Sequence, residues 1–164
     1  MWNWSVTAAN NATADATINW AEGQAPSSVN DSARAMMAAV AKHRNDISGA
    51  ITTGGTSVAY TLTSSQVFDT LAHLSSNMIC MVPHTTSGAT VTLAVDGLTA
   101  KPLRSAPSTE LPSGTLVMGT PYLLTYNTTD GAFYLMSFFS NPYIVPIGSI
   151  MPYVGSTAPG PRPS

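Results

Sequence analysis

The sequence predicts a mainly β protein with one N-terminal helix and an extended arm at each end. Three observations carry this. Apolar residues recur at steps of 4, 3 and 4 between Val29 and Val40 and again at Ile47, which is helical spacing. After residue 50 the pattern changes to short alternating runs bounded by Gly, Asn and Asp, as in strands and turns. Six of the twelve prolines lie between Pro142 and Pro163, where an extended chain follows from a fixed φ and a missing N–H. The predicted units are an arm over 1–24, a helix over 25–49, a small antiparallel β sandwich or barrel over 50–140, and a Pro-rich connector over 141–164.

Composition narrows the function classes. Charged residues make up 9% of the chain, against about 25% in typical soluble proteins. Net charge is −2, so Ser, Thr, Asn and Gly supply most of the polarity. Such a chain is expected to bury much of its surface in an assembly. No basic cluster speaks for nucleic acid, since Lys42 and Arg44 stand beside Asp46. The single Cys80 cannot form an internal disulfide. No apolar run is long enough for a membrane span, and the opening Met-Trp-Asn-Trp-Ser lacks the marks of a signal peptide. Synthesis in a cytoplasm is the expectation.

Residues 1–19 are rich in Ala, Asn and Thr and show no helical period. Trp2, Trp4 and Trp20 stand out on this polar arm, and tryptophan is favoured at interface centres. They are expected to anchor the arm, on another subunit or by folding back on the same chain. Pro26 ends the arm, with Ser27 or Ser28 as a helix cap. Val29, Ala33, Met36, Val40, His43 and Ile47 then follow a heptad register, and Gly49 is a natural stop. Some five to six turns give a helix of about 30 Å. The seam can pack on the chain's own sheet or on two copies of itself. The polar and Ala-rich flanks favour self-association as a parallel, coiled-coil-like trimer. His43 is expected to be a packed histidine rather than a metal ligand.

Thr52–Gly55 is expected to turn. Strands are expected at 57–63, 78–82, 89–96, 115–118, 121–126 and 132–139, with a short helical turn within 66–74. Asp96-Gly97 is a strong turn signal, and Asn127–Gly131 reads as a hairpin loop. Residues 98–114 carry three prolines and read as loop with one edge strand. In the connector, Tyr143, Ile147, Ile150 and Tyr153 are too apolar for water and should pack on a neighbour.

Nothing in the chain assembles an active site. Cys80 and His84 lie four apart, but Cys80 falls in the apolar run Met78–Val82, where cysteine behaves as a small hydrophobe. His43, His73 and His84 lack metal-ligand spacing. The carboxylates are scattered, mostly beside Gly, Ser or Asn, where turns and caps explain them. Gly54-Gly55 lacks the lysine of a phosphate loop. No enzyme, cofactor or metal is expected.

Three stretches carry a family likeness. Pro146–Pro159, Pro-Ile-Gly-Ser-Ile-Met-Pro-Tyr-Val-Gly-Ser-Thr-Ala-Pro, resembles the opening of the tail collar domain of bacteriophage tail fibres. Ile18–Met37, including Trp-Ala-Glu-Gly-Gln-Ala-Pro-Ser-Ser-Val, resembles the N-terminal region of many phage and prophage tail fibre proteins. The segment Thr86–Leu98, with its Asp-Gly turn, has the character of small fibre β domains. The sequence stops at Ser164, before the Gly-, Trp- and Cys-containing segment that usually follows the collar opening; either the chain is truncated there or the stretch is reused as a connector. The likeness implies a homotrimeric structural protein of the virion tail. Its arm would attach to the tail or baseplate, and its connector would lead to distal host-recognition parts. The alternative is a carbohydrate-binding adhesin that uses Tyr122, Tyr126, Phe133 and Tyr134 on a host glycan. A depolymerase, with clustered acids in a groove, comes third.

Overall fold

A computed structural model describes residues 1–75 and 77–137. The connector residues Tyr143, Ile147, Ile150 and Tyr153 lie outside this range, as do the last two residues of the strand expected over 132–139. Among the described residues are one long helix, α1 (Pro26–Ile47), one short helix, α2 (Leu71–Leu74), and nine strands. The strands are β1 (Ile51–Thr52), β2 (Gly54–Gly55), β3 (Ala59–Leu62), β4 (Met78–Val82), β5 (Thr92–Val95), β6 (Lys101–Ala106), β7 (Thr109–Glu110), β8 (Tyr122–Asn127) and β9 (Ala132–Leu135).

The strands form one sheet in the order β1-β4-β8-β9-β6-β5-β3-β2, with β7 on the side of β6. Its two ends are neighbours in the chain, because only Thr53 separates β1 from β2. Thr53 is buried and donates its N–H to Val82 O. Residues 51–55 therefore pair with β4 on one side and β3 on the other, and the sheet is nearly closed into a barrel. The expected turn at Thr52–Gly55 is this closing segment. Gly55, at φ 86, lies against the carbonyl of Ala59, an approach that only glycine permits.

The sheet is mixed rather than purely antiparallel. β1–β4, β3–β5 and β6–β9 pair in parallel. Alternation still places the core as expected: Tyr60, Leu62, Leu93, Val95, Tyr122, Leu124 and Tyr126 point inward with Ile79 and Met81. Two expected elements differ. Residues 115–118 are loop, held to Ser87 and Tyr122: Leu116 N–H donates to Ser87 Oγ, and Val117 N–H to Tyr122 Oη. Leu116 is drawn wholly inside, so its apolar signal belongs to a buried loop. The strand within 98–114 is β6, which lies between β9 and β5 rather than at an edge. Pro102 is tolerated there because Leu103 N–H bonds Val91 O, so the missing N–H points away from β5. The ladder with β9 begins only at Leu103.

Turn chemistry follows the sequence. Asp96 and Gly97 both take positive φ, 52° and 77°, and Leu98 N–H closes on Val95 O, a type I′ turn. Gly49, at φ 78, ends the helix as expected. At the other end Pro26 occupies the first helical turn after Ala25, which has no side-chain cap. Ser28 Oγ instead donates to Ala25 O. Proline supplies the start here, with φ already helical.

The arm is not extended. It contains a short 3-10 helix at Ala8–Asn11 and a bridge between Asp15 and Ile18, and it folds back on its own chain. Asp15 organises it by accepting from Thr17 N–H, Thr17 Oγ1 and Trp4 Nε1.

Candidate functional site: the free face of the helix

α1 has two long faces, and among the described residues its own chain covers the one with the smaller side chains. At 3.6 residues per turn, Val29, Met36, Val40 and Ile47 fall within about 40° of one another, and Ser28, Ser32, Ala35, Ala39 and Asp46 lie about 90° round the helix. The second face is the covered one. Ser32 and Asp46 are the buried residues of the helix, and Ala35 and Ala39 are half-buried. Ser32 Oγ donates to Asn19 O and accepts from Asn19 N–H, which ties the arm to it. Asp46 is fully buried. It accepts from Ser65 N–H at 2.6 Å, Gln66 N–H at 3.2 Å and Gln66 Nε2 at 3.0 Å.

The apolar face is left open. Met36 is 39% exposed, Val40 51% and Met37, on its flank, 70%. Val29 and Ile47 are exposed as well, while Ala33 is half-buried. Large apolar side chains at this spacing on a solvent-facing helix mark an interaction surface. His43 stands at the border of the two faces. It is half-buried, and its Nδ1 is buried without a hydrogen-bond partner.

The three tryptophans divide. Trp2 packs on the barrel core and stacks on His73, with ring centroids 4.1 Å apart at 15°. Trp4 walls a shallow groove of about 420 Å³ lined by Met36, Met37, Val40, Ala41 and Arg44. Trp20 meets Trp4, Ile18 and Met36 in a smaller one. Of the two arm positions open from sequence, the described chain shows folding back. The two exposed grooves extend the apolar face of the helix.

The chemically reactive residues are occupied. Cys80 points away from the core cluster toward Gly49, where a Cβ would lie 3.5 Å from Cys80 Sγ and 3.3 Å from Pro121. Burial pushes the Cys80 thiol pKa up, the reverse of an activated nucleophile. His84 Nδ1 lies 2.9 Å from Thr53 Oγ1, which also accepts the His84 N–H. Among the described residues no group of three or more His, Cys, Asp or Glu is placed to hold a metal. No helix there is long and apolar enough to cross a membrane.

Of the aromatics considered for glycan contact, Tyr122, Tyr126 and Phe133 are in the core. Tyr134 alone is half-exposed, with its hydroxyl donating to Asp130 Oδ2 at 2.8 Å.

The fold and this face together define a mostly β, nearly closed barrel carrying one long helix with an apolar stripe that has no partner among the described residues. Comparison with protein-family models, curated proteins and solved structures finds no match to this chain.

The small face of α1 escaped the sequence reading. Ser and Ala carry no hydrophobic period, and Asp46, beside Asn45, passes for one of the scattered carboxylates that turns and caps explain. The available signal was the run Ser28, Ser32, Ala35, Ala39 at steps of 4, 3 and 4, which lets another segment approach closely.

Proposed function

We propose that this protein is a homotrimeric structural component of a phage tail, a fibre or fibre-anchoring adaptor. The observation that supports it most is the open stripe of Val29, Met36, Val40 and Ile47. The helix already uses its other face for its own arm and barrel, so this stripe has no partner within the described chain. Its spacing is that of a parallel bundle, in which copies of one helix supply matching layers. Low charge agrees with burial in an assembly. The tail assignment rests on the likeness of residues 18–37 and 146–159 to tail fibre sequences.

The chain path suits a connector. β9 pairs with β8 so that Met136 N–H bonds Leu123 O, and Ser137 therefore leaves at the end where β8 begins. The loop Ser64–Phe68, held by Asp46 of the helix, lies at the opposite end, where β3 finishes. Helix and outgoing chain are thus attached to opposite ends of the barrel. In this role the helix stripe joins three copies, the arm side faces the tail or baseplate, and the outgoing chain leads toward distal parts.

Immunogold labelling of purified particles tests the assignment. Label on the tail is the expected result. Particles without label, in a preparation where the chain is detected only as free protein, would overturn it.

A further inference from the structure

His73 sits on α2, where its N–H donates to Thr70 Oγ1. Its ring makes two contacts at once. One face stacks on Trp2, 4.1 Å away and nearly parallel. Its Nδ1 lies 2.6 Å from Asp69 Oδ1. Both His73 and Asp69 remain open to solvent, so the imidazole can exchange its proton with water. Trp2 in turn is where the arm meets the barrel core.

We propose that Trp2, His73 and Asp69 form a proton-tightened latch that holds the start of the arm on the barrel. A neutral imidazole makes a stacking contact and one hydrogen bond. The imidazolium improves both. Its charge lies over the face of the indole, a cation–π contact, and its N–H to Asp69 becomes a charge-assisted bond. The hydrogen bond from His73 is also the main reason that the Asp69 carboxyl titrates below its usual range. On the arm side, the charged groups are the Met1 amino group, Lys42 of α1 and Asp15. Asp69 alone is at hydrogen-bond distance, and it sets the sign. Asn19 with Ser32 ties the arm to α1, and Trp4 with Asp15 and Asn3 with Ala14 hold the arm to itself. The latch therefore governs the stretch from Met1 to Asn3, whatever the number of copies in the assembly.

The test uses the full chain carrying Trp4→Phe and Trp20→Phe, so that Trp2 is the sole indole. A stacked imidazolium quenches indole emission. Emission should fall in a one-proton step as the pH is lowered. Amide exchange near Trp2, corrected for its intrinsic pH dependence, should slow by about two- to fivefold across the same step. Asp69→Asn should move the midpoint to lower pH, and His73→Gln should remove the step. In the unsubstituted chain, the His73 ring protons should show an indole ring-current shift that Trp2→Ala abolishes. A flat emission profile, or the same step in His73→Gln, would overturn the latch.

Discussion

Asp46 of the helix and Asp96 of the type I′ turn hold one loop from two sides. Asp96 accepts from Ser64 N–H at 2.7 Å and Phe68 N–H at 2.8 Å. Asp46 accepts from Ser65 and Gln66. The N–H of Val67 goes to Ser64 Oγ, which itself donates to Asp96 Oδ2 at 2.6 Å. Every backbone N–H from Ser64 to Phe68 thus ends on a side-chain oxygen, and the helix is fastened to the barrel through this loop.

Removing either carboxylate leaves backbone donors without acceptors. Asp96→Ala and Asp46→Ala should each cost roughly 2–4 kcal/mol, read from urea unfolding. Their local effects should differ. Asp46→Ala also frees the helix end from the outer face of β4, where Cys80 is covered. Native thiol labelling of Cys80 should then accelerate, while Asp96→Ala should leave it slow. Equal labelling rates in the two variants would mean that Asp46 does not dock the helix.

The same loop stores backbone strain. Val67 takes φ 53 while its side chain is 62% exposed, so a β-branched residue sits in the left-handed region with little burial in return. Val67→Gly relieves a penalty of about 1–2 kcal/mol against a smaller entropic cost in the unfolded chain. A net gain of about 0.5 kcal/mol in thermal or urea unfolding is expected. Gly55→Ala should do the opposite. Its φ of 86 and the carbonyl of Ala59 leave no room for a Cβ. A loss of more than about 2 kcal/mol is expected, together with faster exchange in β1 and β2 as the barrel opens.

Acid should loosen the arm in its own pH window. Hydrogen bonds from Thr17 hold the Asp15 carboxyl below its usual value. A depressed carboxyl contributes stability that is fully present above its unfolded value of about 3.9. It is lost as pH falls through the lower folded value. Proteolysis within residues 1–19 should therefore stay slow at pH 5 and accelerate below about pH 3.5. Asp15→Asn should make cleavage faster at neutral pH. Acid acceleration that persists unchanged in Asp15→Asn would place the cause elsewhere.

Much of the fold was legible because its signals are local. Gly49 stops the helix, Asp96-Gly97 turns the chain, and inward residues alternate through β3, β5 and β8. The apolar stripe of α1 was legible for the same reason. Three things were not. Parallel pairing such as β6–β9 depends on which strand ends up beside which, and no local pattern encodes it. Leu116 gives the same apolar signal in a buried loop as in a strand. The covered face of α1 is made of Ser, Ala and one carboxylate, so its burial shows only once Asn19, Ser65 and Gln66 are placed beside it.

Sedimentation velocity at micromolar concentration tests the central claim most directly, on the unsubstituted chain and on Met36→Asp with Val40→Asp. The unsubstituted chain should appear at three times 17.1 kDa. The double variant would bring two carboxylates per helix into the seam, a cost that desolvation makes prohibitive. It should appear at 17.1 kDa with the β signal of its circular dichroism intact, because both side chains are open to solvent in the single chain. An unsubstituted chain at 17.1 kDa, or a double variant that still assembles in threes, would contradict the helix seam.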